Sequence, residues 1–157
     1  MTRSAALLAL ALALIALPAT TGAETYSAPP GAYPINPGYW EATYNWFGLI
    51  STTNRYCVEP KNIVTFLAKP CNHIYHCNYP VSGIKDGKAY FEGTITGNNE
   101  LYHVRGGGTY TPTELDMHAK VHGHYKLLPV PNLDLWIKGH FISSTCPPGA
   151  KHFHQHS

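Results

Sequence analysis

The chain has 157 residues, 44% hydrophobic and 13% charged, with 10 His, 14 Gly, 13 Pro and 4 Cys. That length suits one domain, and so large an apolar fraction excludes wholesale disorder. A formal charge of +2 supplies no basic field for a nucleic-acid partner.

Residues 1–23 carry one positive charge, Arg3, then an apolar run from Ala5 to Leu17 that Pro18 ends. Small residues close the segment at Ala23. A basic start, a short apolar middle and a small-residue exit read as a secretory signal peptide cut near Ala23. The run is shorter than the about 20 residues a spanning helix needs, so no transmembrane segment is expected in the mature chain. The product is expected to be periplasmic or secreted.

Residues 24–36 (ETYSAPPGAYPIN) have no hydrophobic period and read as an extended leader. A single β-rich domain is expected over 37–146. In 39–47, Trp40, Ala42, Tyr44 and Trp46 alternate with Glu41, Thr43 and Asn45, which predicts a strand. Gly48 permits a turn, and 51–58 (STTNRYCV) is the partner strand. Pro60 suits the start of one short helix, Ile63, Phe66 and Leu67 share its face, and Pro70 stops it. Residues 71–82 read as an irregular strand.

Clean alternation then recurs in 88–96, 100–110, 114–126 and 132–146, with Phe91, Val104, Met117 and Ile137 among the residues on the apolar side. Gly106-Gly107-Gly108 inside one of these runs predicts a bulge or a sharp coil of the sheet. Strand after strand with one apolar face describes an all-β, mainly antiparallel meander. It is expected to form a curved sheet or small β-barrel with one short helix, the alternative being a two-sheet β-sandwich. Residues 147–157 read as a flexible, His-rich tail.

Turn chemistry sets registers. A two-residue loop at Asn98-Asn99 places Ile95 opposite Tyr102 and Glu92 opposite Arg105. The turn at Pro112-Thr113 places Val104 opposite Val121 and His103 opposite His122, with His124 diagonal. Imidazoles on one face of adjacent strands come within the span of one metal ion. The candidate metal ligands are therefore His103, His122 and His124, together with His152, His154 and His156 of the tail. A solvated polar face is the simpler use of the strand histidines, since Arg105, Lys120 and Lys126 share it.

Other chemistry is sparse. There is no G-x-S-x-G elbow, no G-x-x-x-x-G-K-S/T and no H-E-x-x-H, so no catalytic residue and no cofactor is nominated. Trp40, Tyr44 and Trp46 are the candidate lining of a ligand cavity, core packing being their competing use.

Cys57, Cys71, Cys77 and Cys146 all lie in the exported part, and an even count there predicts two disulfides. Five residues separate Cys71 from Cys77, too many for a zinc clip. Three connectivities are open. We favour Cys57–Cys146, tying the beginning of the sheet to its end, with Cys71–Cys77 as a local clip.

Pro37-Gly38-Tyr39-Trp40-Glu41 just after a signal peptide, and Cys57-Val58-Glu59-Pro60 before a short helix, resemble segments of a bacterial exported family catalogued as domain of unknown function 3617. The closing Gly139-to-Cys146 stretch is similar too. The resemblance implies a periplasmic protein of Gram-negative bacteria and carries over no catalytic or binding residues. The expected function is a non-enzymatic binding or interaction module for a small apolar ligand, a lipid or an envelope protein. The alternative is a zinc- or copper-binding envelope protein.

Overall fold

The alternating segments become strands in a computed structural model, which describes residues 22–27, 29, 31–71, 74–126 and 128–153. Most of the signal-peptide segment, together with His154 and His156, lies outside the described residues. In chain order the strands are β1 (Glu24–Thr25), β2 (Gly38–Trp46), β3 (Ile50–Val58), β4 (His76–Lys85), β5 (Lys88–Gly97), β6 (Glu100–Tyr110), β7 (Glu114–Tyr125), β8 (Leu128–Ser143) and β9 (Thr145–Cys146). A 3-10 turn, Pro60–Asn62, leads into the helix α1 (Ile63–Ala68) between β3 and β4.

Seven strands form one antiparallel sheet in the order β3-β2-β8-β7-β6-β5-β4, and β1 pairs with β9 in a separate ladder. The sequence meander from β4 to β8 is intact, and the β2–β3 hairpin adds to it through β2 against β8. Among the described residues the outermost strands, β3 and β4, do not pair with each other, so the sheet is open and no barrel closes. Nor, among the described residues, does a second large sheet face it, as a sandwich requires. The inner face is covered instead by α1 and the two chain ends. Phe66 of α1 meets Trp40 of β2 at 5.8 Å, while the helix packs on β4 and β5. The apolar surface that strand closure would have buried is buried by these elements.

The registers implied by the turns are the observed ones: Ile95 faces Tyr102, Glu92 faces Arg105, and His103 faces His122. The glycine run contains no bulge, and pairing runs unbroken through it on both sides. The glycines are required here because the strands approach too closely for side chains. A Cβ on Gly106 would lie 2.6 Å from the Ala119 Cβ, and one on Gly108 2.0 Å from the Asp116 carbonyl oxygen. Bulges occur elsewhere, between Tyr39 and Trp40, between Asn78 and Val81, and between Val121 and Gly123.

The chain ends are more ordered than composition suggests. In the leader, Ile35 is fully buried and the Asn36 N–H donates to the Pro112 carbonyl. The tail, read as flexible from 147, is docked as far as Phe153. The Cys57 N–H donates to the Lys151 carbonyl at 2.7 Å, and the Phe153 N–H donates to that of Cys57 at 2.9 Å. The Phe153 ring lies 5.0 Å from Phe66 and 5.7 Å from Tyr56. Burying such a side chain stabilises by roughly 1.5–3 kcal/mol, enough to hold a segment that looked merely polar. Both favoured disulfides, Cys57–Cys146 and Cys71–Cys77, are present.

Candidate functional site

The aromatic residues of β2 separate by position. Trp40 is wholly buried, its indole N–H donates to the Asn36 carbonyl, and its ring packs edge-on to Phe141 at 5.7 Å. Tyr44 packs against the same core, and burial, with Tyr56 beside it, pushes its hydroxyl far above the usual phenol range. Trp46 lies at the end of the hairpin, half-exposed. Two surface hollows of about 180 and 260 Å³ lie beside Tyr33 and Tyr110, and neither is lined by these three residues. Both fall below the roughly 300–1,000 Å³ of small-molecule sites.

The outer face of the sheet carries the strand histidines. His103 and His122 stack with ring centres 5.2 Å apart and planes at 19°. His124 is exposed two residues further along β7, in register with Leu101. In the next row, Glu92, Arg105, Lys120 and Asp134 cross four strands side by side. Arg105 lies 3.5 Å from Glu92, and Lys120 lies 3.1 Å from Asp134. The Lys120 ammonium, with His118 at 3.0 Å, holds the Asp134 carboxyl below its usual range. His118 also stacks on the half-exposed Trp136 at 4.9 Å.

His152 stands apart from the strand histidines, where both chain ends meet the end of β3. Its Nδ1 is 3.1 Å from the Glu59 carboxylate and its Nε2 is 4.0 Å from that of Glu24. Among the described residues one group of three potential ligand atoms falls within 4.8 Å, from Glu24, Cys57 and His152. The Cys57 sulfur is already committed to its disulfide, so this group is a structural knot.

A feature that the alternation pattern hides is the Trp46–Ile50 hairpin end. Its side chains leave the core, with Leu49 86% and Ile50 60% exposed. The Asn45 side chain accepts from the Gly48 N–H, and the Phe47 N–H donates to the Asp134 carbonyl. Phe47 takes φ 58°, a left-handed conformation that bulky side chains avoid. The neighbouring β7–β8 end exposes Tyr125 and Leu128, with the Lys126 ammonium 5.4 Å from the Tyr125 ring centre. β2 and β7 both run antiparallel to β8, so these two ends lie at the same end of the sheet. The signal available in sequence was an uncharged stretch with five large apolar residues from Tyr44 to Ile50 interrupted by Asn45 and Gly48.

No helix among the described residues is long and apolar enough to cross a membrane. Compared with known proteins, the chain matches no family model, and no curated protein or solved structure is significantly similar to it.

Proposed function

We propose that the protein is an exported, non-enzymatic module of the cell envelope that docks on a lipid surface through the ends of its β2–β3 and β7–β8 hairpins. The observation that carries this reading is the Trp46–Ile50 end, where Leu49 and Ile50 face solvent and no charge occurs from Tyr44 to Ser51. Phe47 and Gly48, at φ 58° and 70°, are the two central residues of the tight turn that carries this end, closed by the Leu49 N–H donating to the Trp46 carbonyl. From His124 to Pro131 the second end carries Lys126 and no acid. Trp and Tyr favour the headgroup level of a bilayer, aliphatic residues sit deeper, and a lysine reaches anionic headgroups. The inner face, filled by α1, Ile35 and Phe153, favours a lipid surface over a small apolar ligand. Export rests on the Arg3-to-Ala23 pattern, and two disulfides suit an oxidising compartment. The resemblance to the family catalogued as domain of unknown function 3617 supports the same location.

Co-sedimentation with phosphatidylethanolamine–phosphatidylglycerol vesicles tests the reading. The protein is expected in the pellet, and Leu49→Asp with Ile50→Asp is expected to return it to the supernatant without lowering its melting temperature. Equal sedimentation of the double variant, or none of the parent protein, refutes it.

A further inference from the structure

We infer that His103 and His122 form a two-histidine clasp for one divalent transition-metal ion, zinc or copper, on the outer face of the sheet. The pair is in direct register across β6 and β7, and both side chains are exposed, so an ion reaches them without opening the fold. Their ring centres are 5.2 Å apart. A tetrahedral ion bonded to two imidazole nitrogens at about 2.0–2.1 Å sets the ring centres at roughly 5 Å. The rings are stacked at 19° rather than edge-on to a common point. Turning them requires only rotation about χ2, a broad torsion in histidine, with both Cβ atoms left in place.

The surroundings accept the ion. Thr94 of β5 is the neutral neighbour opposite His103. On the other side, two uncharged β8 residues, Pro131 and Asn132, bulge opposite His122 with neither in register with it. Two of the three cations that share the face do not repel an incoming ion as single charges. Arg105 and Lys120 are paired with Glu92 and Asp134, so that row of four sums to zero. His124 and, beyond it at the strand's end, Lys126 over the Tyr125 ring are the remaining titratable groups nearby on that face of β7, and water completes the coordination. Imidazole binds metal in its neutral form, which suits zinc and copper above the hard cations.

The test uses the full chain without an affinity tag, titrated by calorimetry with zinc chloride and then copper chloride at pH 7.5. A background of His154→Gln with His156→Gln removes the two tail histidines beyond His152, which is itself held by Glu59. One ion per chain is expected to bind in that background. Either His103→Ala or His122→Ala is expected to lower affinity at least tenfold, and protons competing for the same nitrogens should weaken it at pH 5.5. Added zinc should raise the melting temperature of the background protein but not of the alanine variants, whose near-UV circular dichroism should be unchanged. No binding in the tail-substituted background, or undiminished binding in the alanine variants, overturns the clasp.

Discussion

Glu59 shows how one carboxylate holds two distant segments. Its oxygens take the Lys61 ammonium at 2.6 Å and His152 Nδ1 at 3.1 Å, joining the start of the 3-10 turn to the C-terminal segment. Lys61 above all holds the Glu59 carboxyl below its usual value; burial pushes it up by less than that, and His152 lowers it further. A carboxyl lowered in the folded state stabilises fully above its unfolded pKa of about 4.5, and the contribution is lost as pH falls through the lower folded value. Glu59→Gln should therefore flatten the acid limb of the stability curve. Thermal melts at pH 5.5 and pH 3 should differ less in the variant than in the parent. A difference as large as the parent's would show that other carboxylates carry the acid response. Asp134, also held low by Lys120 and His118, is exposed on the outer face, where solvent screens such pairs.

Among the elements, the short ones decide how the long ones are covered. The β3 end at Cys57 is extended not by another full strand but by Lys151–Phe153, which runs parallel to it and delivers one aromatic ring to α1. The Asn62 side-chain amide donates to the Phe153 carbonyl and locks this contact from the helix side. Phe153→Ala should cost about 3 kcal/mol, read as a shift in the urea midpoint at unchanged slope. A shift worth under about 0.5 kcal/mol, the size of an ordinary surface change, would mean that the segment adds nothing to the fold. β8 extends past the end of β2, and Pro129 and Pro131 lie in that overhang. Proline cannot donate to a ladder, which protects this stretch of edge from pairing with another chain.

The whole molecule is an open sheet closed at one end by covalent and non-covalent ties between distant segments. Glu24 pairs with Cys146, Cys146 is bonded to Cys57, and Cys57 bridges to His152, so β1, β9, β3 and the C-terminal segment meet at one disulfide. That bond spans 89 residues, whereas Cys71–Cys77 spans 6. Loop-closure entropy grows with the logarithm of loop length, which makes the longer tie worth roughly 2 kcal/mol more in the chain-entropy account. Cys57→Ser with Cys146→Ser should thus destabilise the fold by about that much more than Cys71→Ser with Cys77→Ser. Equal losses in parallel urea titrations would place the value of the long bond in local packing instead. At the opposite end of the sheet the ends of β2–β3 and β7–β8 expose Leu49, Ile50, Tyr125 and Leu128.

Local chemistry determined the parts of this structure that lie within one turn of the chain. Alternation marked the strands, and the Asn98-Asn99 and Pro112-Thr113 turns set His103 against His122, because a tight turn transmits its register along both arms. Non-local geometry decided the rest. Extending the Tyr125–Leu128 pairing along β7 and β8 would have set Lys120 against Leu133, but the bulge at Val121–Gly123 shifts the ladder by one residue and sets it against Asp134. The pairing of β2 with β8 joins segments that no turn connects, so the choice of an open sheet over a barrel was invisible in the pattern. Whether Trp40 and Phe153 fill a core or Leu49 stands in solvent follows from which elements reach across the inner face. Sequence periodicity records which side of a strand is apolar; only the packed structure decides what lies over that side.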